Sequence, residues 1–142
     1  MIMYGTKPDG KEFNIGLQKP WAETGIWEYS FKGSDIAMSV SGPYERYFEE
    51  NGTIYHHIVD PATGCPADTD LNGACIIGKN ALQTDILSTA VFLMGADAGL
   101  EYIENIKGVE CVLFDQDNNI ILSSGLTMND KTVSLKLNTA GF

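Results

Sequence analysis

The spacing of apolar positions divides the chain into a run of strands, a helical pair and a second run of strands. Phe13, Ile15 and Leu17 alternate with polar or small residues after the turn Lys7-Pro8-Asp9-Gly10 and predict a strand over residues 12–18. Residues 26–32 and 35–41 keep the same period of two. Trp27, Tyr29 and Phe31 share one face of the first, and Ile36, Met38 and Val40 one face of the second. Lys32-Gly33-Ser34 between them reads as a hairpin turn. Asn51-Gly52 introduces a fourth strand over 53–59, and residues 72–78 form a fifth.

From Asn80 the period lengthens. Leu82, Ile86 and Leu93, with Leu87, Val91 and Met94 offset from them, mark apolar stripes at helical spacing between Asn80 as N-cap and Gly95 as stop. A second helix over 97–106 is capped by Asp97, turns Leu100, Ile103 and Ile106 inward and ends before Gly108. Strands over 109–114, 120–123 and 132–137 complete the pattern, the first two joined by the polar turn 115–119. The expected fold is α+β: one domain over residues 1–142, with a largely antiparallel sheet and two adjacent helices.

Charge narrows the partners. Nine basic against 19 acidic side chains give a net charge of -10, which argues against nucleic acid or an anionic membrane as the main partner. An anionic ligand then needs a local exception, such as a bound cation, a helix N-terminus or a placed basic residue like Arg46. The three cysteines fit neither a disulfide framework nor a zinc pattern. Cys75 and Cys111 lie in apolar strand-like runs and read as core thiols, whereas Cys65 sits beside a turn and reads as exposed. No apolar stretch is long enough to span a bilayer, and the first twenty residues lack a signal-peptide design, so no export address is expected.

Candidate chemistry concentrates in three places. The only two histidines, His56 and His57, precede Asp60-Pro61-Ala62-Thr63-Gly64, a strand running into a sharp exposed turn; strand alternation sends the two rings to opposite faces. On the first helix Asp85 and Thr89 are four residues apart and share a face, where a carboxylate and a hydroxyl form part of a magnesium site or simply a solvated side. Ser39-Val40-Ser41-Gly42-Pro43-Tyr44-Glu45-Arg46-Tyr47-Phe48 places hydroxyls and a glycine at a strand end, followed by an aromatic and an arginine. It reads either as an anion-binding turn or as a hairpin turn with a structural salt bridge.

In their order, Lys7-Pro8-Asp9-Gly10, Ser41-Gly42-Pro43-Tyr44-Glu45-Arg46-Tyr47, Tyr55-His56-His57-Ile58-Val59-Asp60-Pro61-Ala62-Thr63-Gly64 and Thr84-Asp85-Ile86-Leu87-Ser88-Thr89-Ala90 resemble the ApbE-type flavin transferases. The resemblance runs from about Gly5 to Gly125 and covers the C-terminal part of the family's longer fold. It implies magnesium-dependent transfer of FMN from FAD to a Ser or Thr hydroxyl of a target protein, with Mg2+ as cofactor and FAD as substrate. It further implies Asp85 and Thr89 as metal ligands and His57, rather than His56, as proton acceptor. Ser41, Gly42, Tyr44, Arg46, Asp60, Thr63 and Gly64 would shape the nucleotide pocket. The family's N-terminal part, which holds much of the flavin and supplies a backbone metal ligand, lies outside this sequence, so a complementary half or self-association is implied for activity. A non-catalytic FAD-binding or interaction module and a slow FAD pyrophosphatase are the competing functional classes. Members of the family are often exported and lipid-anchored. The sequence departs from the family's usual pattern at Thr84, Ile86 and Cys65.

Overall fold

A computed structural model describes residues 1–136 and 142. Its strands are β1 (Ile2–Met3), β2 (Phe13–Gln18), β3 (Trp27–Gly33), β4 (Ile36–Ser41), β5 (Tyr47–Glu50), β6 (Thr53–His56), β7 (Leu71–Gly78), β8 (Val109–Asp115), β9 (Ile120–Leu122), β10 (Leu126–Asn129) and β11 (Thr132–Leu135). Two helices, α1 (Ala81–Met94) and α2 (Ala96–Glu104), separate β7 from β8. Leu137, the last residue of the predicted final strand, lies outside the described residues.

The strands form a five-stranded sheet in the order β1-β4-β7-β8-β9, a four-stranded sheet in the order β10-β11-β3-β2 and the separate hairpin β5-β6. All pairings are antiparallel except β11 with β3. The fold class is α+β, as the apolar pattern predicts. Its layering follows from the alternation in β7 and β8. Ala74 and Ile76, with Cys111 and Leu113, face Leu87, Val91, Phe92 and Ile103 of the helices. Cys75 and Ile77, with Val112 and Phe114, face Phe31, Leu126 and Val133 of the smaller sheet. A sheet buried on both faces needs apolar residues at consecutive positions, which is why these two strands read as continuous apolar runs.

Several expectations need correction. Residues 32–34 do not make a hairpin, because β3 and β4 belong to different sheets; the chain crosses between them through Asp35 at φ +54°. Trp27 does not share the face of Phe31. The β2–β3 register shifts between Leu17 and Gln18, and this bulge turns Trp27 onto the outer face, over the α-carbon of Gly16. The fourth strand ends at His56, and Val59 keeps only an isolated bridge to Pro66. Of the α1 stripes, Leu82 and Ile86 are 70% and 60% exposed, as is Val40 of β4 at 47%; the side that α1 buries is Thr84, Leu87, Ser88, Val91 and Phe92. The cap of α2 comes not from Asp97 but from Asp70, whose Oδ1 accepts the Ala96 N–H at 2.8 Å. Asn80 does cap α1, accepting the Gln83 N–H at 3.1 Å. Among the described residues no helix is long and apolar enough to cross a membrane.

Burial places the thiols as expected: Cys75 and Cys111 are buried and Cys65 is exposed. Burial pushes both core thiols up to about 12, and for Cys75 the neighbouring Cys111 adds to the shift. Since the thiolate is the nucleophile, iodoacetamide at pH 8 is expected to alkylate Cys65 alone in the folded protein, with all three modified after denaturation. Peptide mass mapping checks this. Modification of Cys75 in the native state would show that the two-sheet core opens.

Candidate active site: a hydroxyl chain, an open carboxylate and an oriented histidine

The end of β4 meets α1 through hydroxyls rather than apolar side chains. Ser39 and Ser41, two residues apart, project from one face of β4 toward Thr84, Ser88 and Thr89 on α1. Ser88 Oγ donates to the Asp85 carbonyl at 2.8 Å, and Ser41 Oγ lies 2.8 Å from Ser88 Oγ and 3.0 Å from Thr89 Oγ1. Proton counting orients this chain. A serine hydroxyl has one proton, and that of Ser88 is committed to the carbonyl, so Ser41 donates to Ser88 and Thr89 donates to Ser41. Thr89 Oγ1 is left with its lone pairs turned outward.

One turn before Thr89 on the same face stands Asp85, whose carboxylate is exposed. Among the described residues it accepts no hydrogen bond and meets no cation within ion-pair distance. It opens instead into a cavity of about 380 Å³ lined with Leu17, Val40, Tyr44 and Glu45. A free carboxylate beside an outward-facing hydroxyl oxygen is a hard-oxygen donor pair, the partial set that Mg2+ accepts when water or phosphate fills its remaining positions. Among the described residues no group of three or more His, Cys, Asp or Glu is positioned for a metal. An ion held here would therefore take its other ligands from elsewhere.

Tyr44 and Gly42 shape the wall of this region. The Tyr44 ring lies across Gly42, where a Cβ would fall 2.5 Å from the ring and 3.0 Å from the Asn72 carbonyl oxygen. Burial, with Glu45 and Cys75 adding to it, pushes the Tyr44 phenol up to about 12, so it remains a neutral hydrogen-bonding group. Gly42→Ala is expected to displace the ring at a cost of about 1–3 kcal/mol, read as a lower midpoint in urea unfolding; an unchanged midpoint would mean the ring moves freely. Trp21, which no feature of the sequence pattern marks, props this wall. Its Nε1–H donates to Asn72 Oδ1 at 2.9 Å, and its ring stands edge-on to Tyr44 and Tyr47.

The histidines separate by face, as alternation requires. His56 is turned inward, edge-on to Phe92 with ring centroids 6.2 Å apart, and its Nε2 lies 3.2 Å from the Ala67 carbonyl. His57 is exposed, and its backbone N–H and Nδ1 both meet the Arg46 carbonyl oxygen at 3.2 Å. A carbonyl can only accept, so that second bond requires the proton on Nδ1. The neutral ring then carries its lone pair on Nε2.

Arg46 makes no salt bridge among the described residues, so its guanidinium is open to an anion. Asp60, Thr63 and Gly64 are brought together, but mainly with one another. Asp60 accepts from Ala62 N–H at 2.8 Å and from the Thr63 hydroxyl at 3.3 Å, and its carbonyl accepts the N–H of Gly64, which sits at φ +70°. This is a self-supporting Asx turn, and among the described residues no hydrogen bond ties it to the hydroxyl chain. Ser39, Thr84 and Ser88 help to build the site although the family resemblance gives them no role. Their signal was present as Ser-x-Ser on a strand and hydroxyls four and five apart on a helix.

The ApbE family model matches residues 1–113. An FAD:protein FMN transferase of Klebsiella pneumoniae is 34% identical over 113 residues, which is 80% of this chain and 36% of that protein. One of Treponema pallidum is 32% identical over 115 residues, 81% of this chain and 32% of that protein. Among solved structures, an ApbE protein of Thermotoga maritima superimposes with a TM-score of 0.75 at 32% identity, covering 84% of this chain and 38% of that one. The apo flavinyl transferase ApbE of Pseudomonas stutzeri superimposes with a TM-score of 0.66 at 28% identity, covering 85% and 38%. The α+β fold of this chain thus corresponds to part of the ApbE fold. The chain belongs to the ApbE family, and it spans about a third of the length of the curated relatives it matches.

Proposed function

We propose that this chain supplies the metal-holding helix and the proton acceptor of a site that transfers FMN from FAD to a Ser or Thr hydroxyl of a target protein. The observation that carries the reading is the oriented chain Thr89→Ser41→Ser88, which leaves the Thr89 oxygen open beside the unpaired Asp85 carboxylate. The names of the relatives support the flavin substrate and the protein acceptor.

Asp85 and Thr89 would hold Mg2+, which when bound supplies positive charge against the FAD diphosphate and so offsets the acidic balance of the chain. Arg46 would pair with a phosphate oxygen. Tyr44, Gly42 and Ser41, with the Asp60-Thr63-Gly64 turn, would bound the nucleotide pocket. The acceptor oxygen attacks the phosphorus of the FMN moiety, the bond to the AMP phosphate breaks, and AMP leaves with the bonding electrons. The acceptor's proton passes to His57 Nε2, the ring nitrogen left with a lone pair. Positioning and charge stabilisation dominate such a phosphoryl transfer.

Exposed Val40, Leu82 and Ile86 provide apolar surface for a complementary partner, either a second copy or a chain carrying the rest of the flavin pocket. The test is AMP release together with covalent flavin on a Thr-containing target, with the complementary ApbE half added. Transfer that needs Mg2+, Asp85 and His57 supports the reading. FAD binding without AMP release would make the chain a binding module, and AMP without flavinylated target would make it a pyrophosphatase.

A further inference from the structure

The β5–β6 hairpin carries a surface that the transfer chemistry leaves unassigned. Its strands pair with each other and with no other strand among the described residues, so each keeps one unpaired edge. The register sorts its side chains by face. Tyr47 and His56, opposite one another, turn toward the body against Trp21 and Phe92. The other face carries Arg46 beside His57 at the base, then Phe48 beside Tyr55, then Glu50 beside Thr53 at the tip. Phe48 and Tyr55 are stacked at 5.1 Å and 10°, yet 60% and 37% exposed. Their rings wall a cavity of about 540 Å³ that His57 also lines, a volume in the usual range of binding pockets, roughly 300–1,000 Å³.

We propose that this face docks an extended segment of the acceptor protein. Its hydroxyl would lie at His57, an apolar side chain one or two residues away on the Phe48–Tyr55 wall, and a cationic side chain toward the tip. The proposal rests on the flavin-transfer reading of His57. Three observations select a polypeptide over the flavin ring as occupant. The ladder alternation turns the amide groups of Ile54 and His56 to the free edge of β6, and such an edge is answered by another backbone. The chemistry along the face changes every second residue, about 6.8 Å, which is the repeat of an extended chain. Glu50 makes the tip of this face acidic in a chain of net charge -10, complementary to a cation that a flavin ring lacks.

The test pairs two titrations on the same variants: anisotropy of a fluorescein-labelled nonapeptide with a central Leu-Thr and a terminal Lys, and Mg2+-dependent FAD binding. Phe48→Ala and Tyr55→Ala are each expected to weaken peptide binding about tenfold with far-UV circular dichroism unchanged, as for an aromatic anchor. Tyr55→Phe should restore binding, and Glu50→Lys should weaken it severalfold, while FAD affinity stays constant throughout. Peptide affinity that is unchanged by Phe48→Ala, or absent in the wild-type chain, overturns the proposal. A loss of FAD affinity in Phe48→Ala also overturns it, by assigning the wall to the flavin. Failure of the transfer reading has its own signal, the absence of Mg2+-dependent FAD binding in the wild type.

Discussion

Replacing His57 by alanine is expected to lower flavin transfer by about 10²–10⁴-fold, the usual contribution of a placed general base, with FAD affinity unchanged. The expectation comes from the ring's geometry. Nδ1 is committed to the Arg46 carbonyl at 3.2 Å, so the exposed Nε2 is the position free to take the acceptor proton. His56→Ala should behave in the opposite way. Its ring packs on Phe92 and reaches the Ala67 carbonyl, so its loss should lower the unfolding midpoint and spare the rate of the folded fraction. Single-turnover AMP release with the complementary half present measures both variants. Equal loss of rate in the two, or none in His57→Ala, would remove His57 from its role.

Asp85→Asn is expected to weaken Mg2+ binding by at least about 10–100-fold, since even groups that only support a metal ligand cost that much. Its stability signature is as informative as its activity. An exposed carboxylate with no hydrogen bond and no cation beside it contributes nothing to folding, so the unfolding midpoint should hold within about 0.5 kcal/mol. Lost metal-dependent binding at unchanged stability is what distinguishes a ligand from a structural residue. Thr89→Ala should give a smaller loss of the same kind, because it removes one neutral oxygen and leaves the charge. An Asp85→Asn protein that keeps full Mg2+ dependence would place the metal elsewhere.

The parts of this fold visible in the sequence are those where local pattern and burial agree. Asn80 and Gly95 bracket α1 because a cap and a stop act within a turn of the helix itself, and β7 and β8 stand out because both their faces are covered. What the pattern could not show depends on contacts distant in sequence. The cap of α2 comes from Asp70, 26 residues before Ala96. The division into two sheets hangs on one turn around Asp35, which looks like a hairpin locally. Trp27 changes face through a one-residue bulge that leaves no compositional trace. Val40, Leu82 and Ile86 satisfy apolar periodicity yet lie exposed, since periodicity reports a face meant for burial without saying what covers it.

The candidate site divides in the same way. Asp85 and Thr89 at helical spacing, and the opposite faces of His56 and His57, are properties of periodicity and appear directly in the chain. The direction of the hydroxyl chain is not, because it needs Ser41 from β4 to meet Ser88 and Thr89 across a helix–sheet contact. The tautomer of His57 depends on the Arg46 carbonyl across a hairpin. β5, the strand that places that carbonyl, has residues that read as part of a turn: four residues with no buried face carry no alternation to detect.

The most direct test of the central claim, that Asp85 and Thr89 hold a metal against a flavin diphosphate, is an FAD titration of this chain followed by flavin fluorescence, with Mg2+ and then with EDTA. Saturable binding that requires Mg2+ and is abolished by chelation is the expected result. Binding of equal affinity in EDTA, or no binding in either condition even with the complementary ApbE half added, would contradict it.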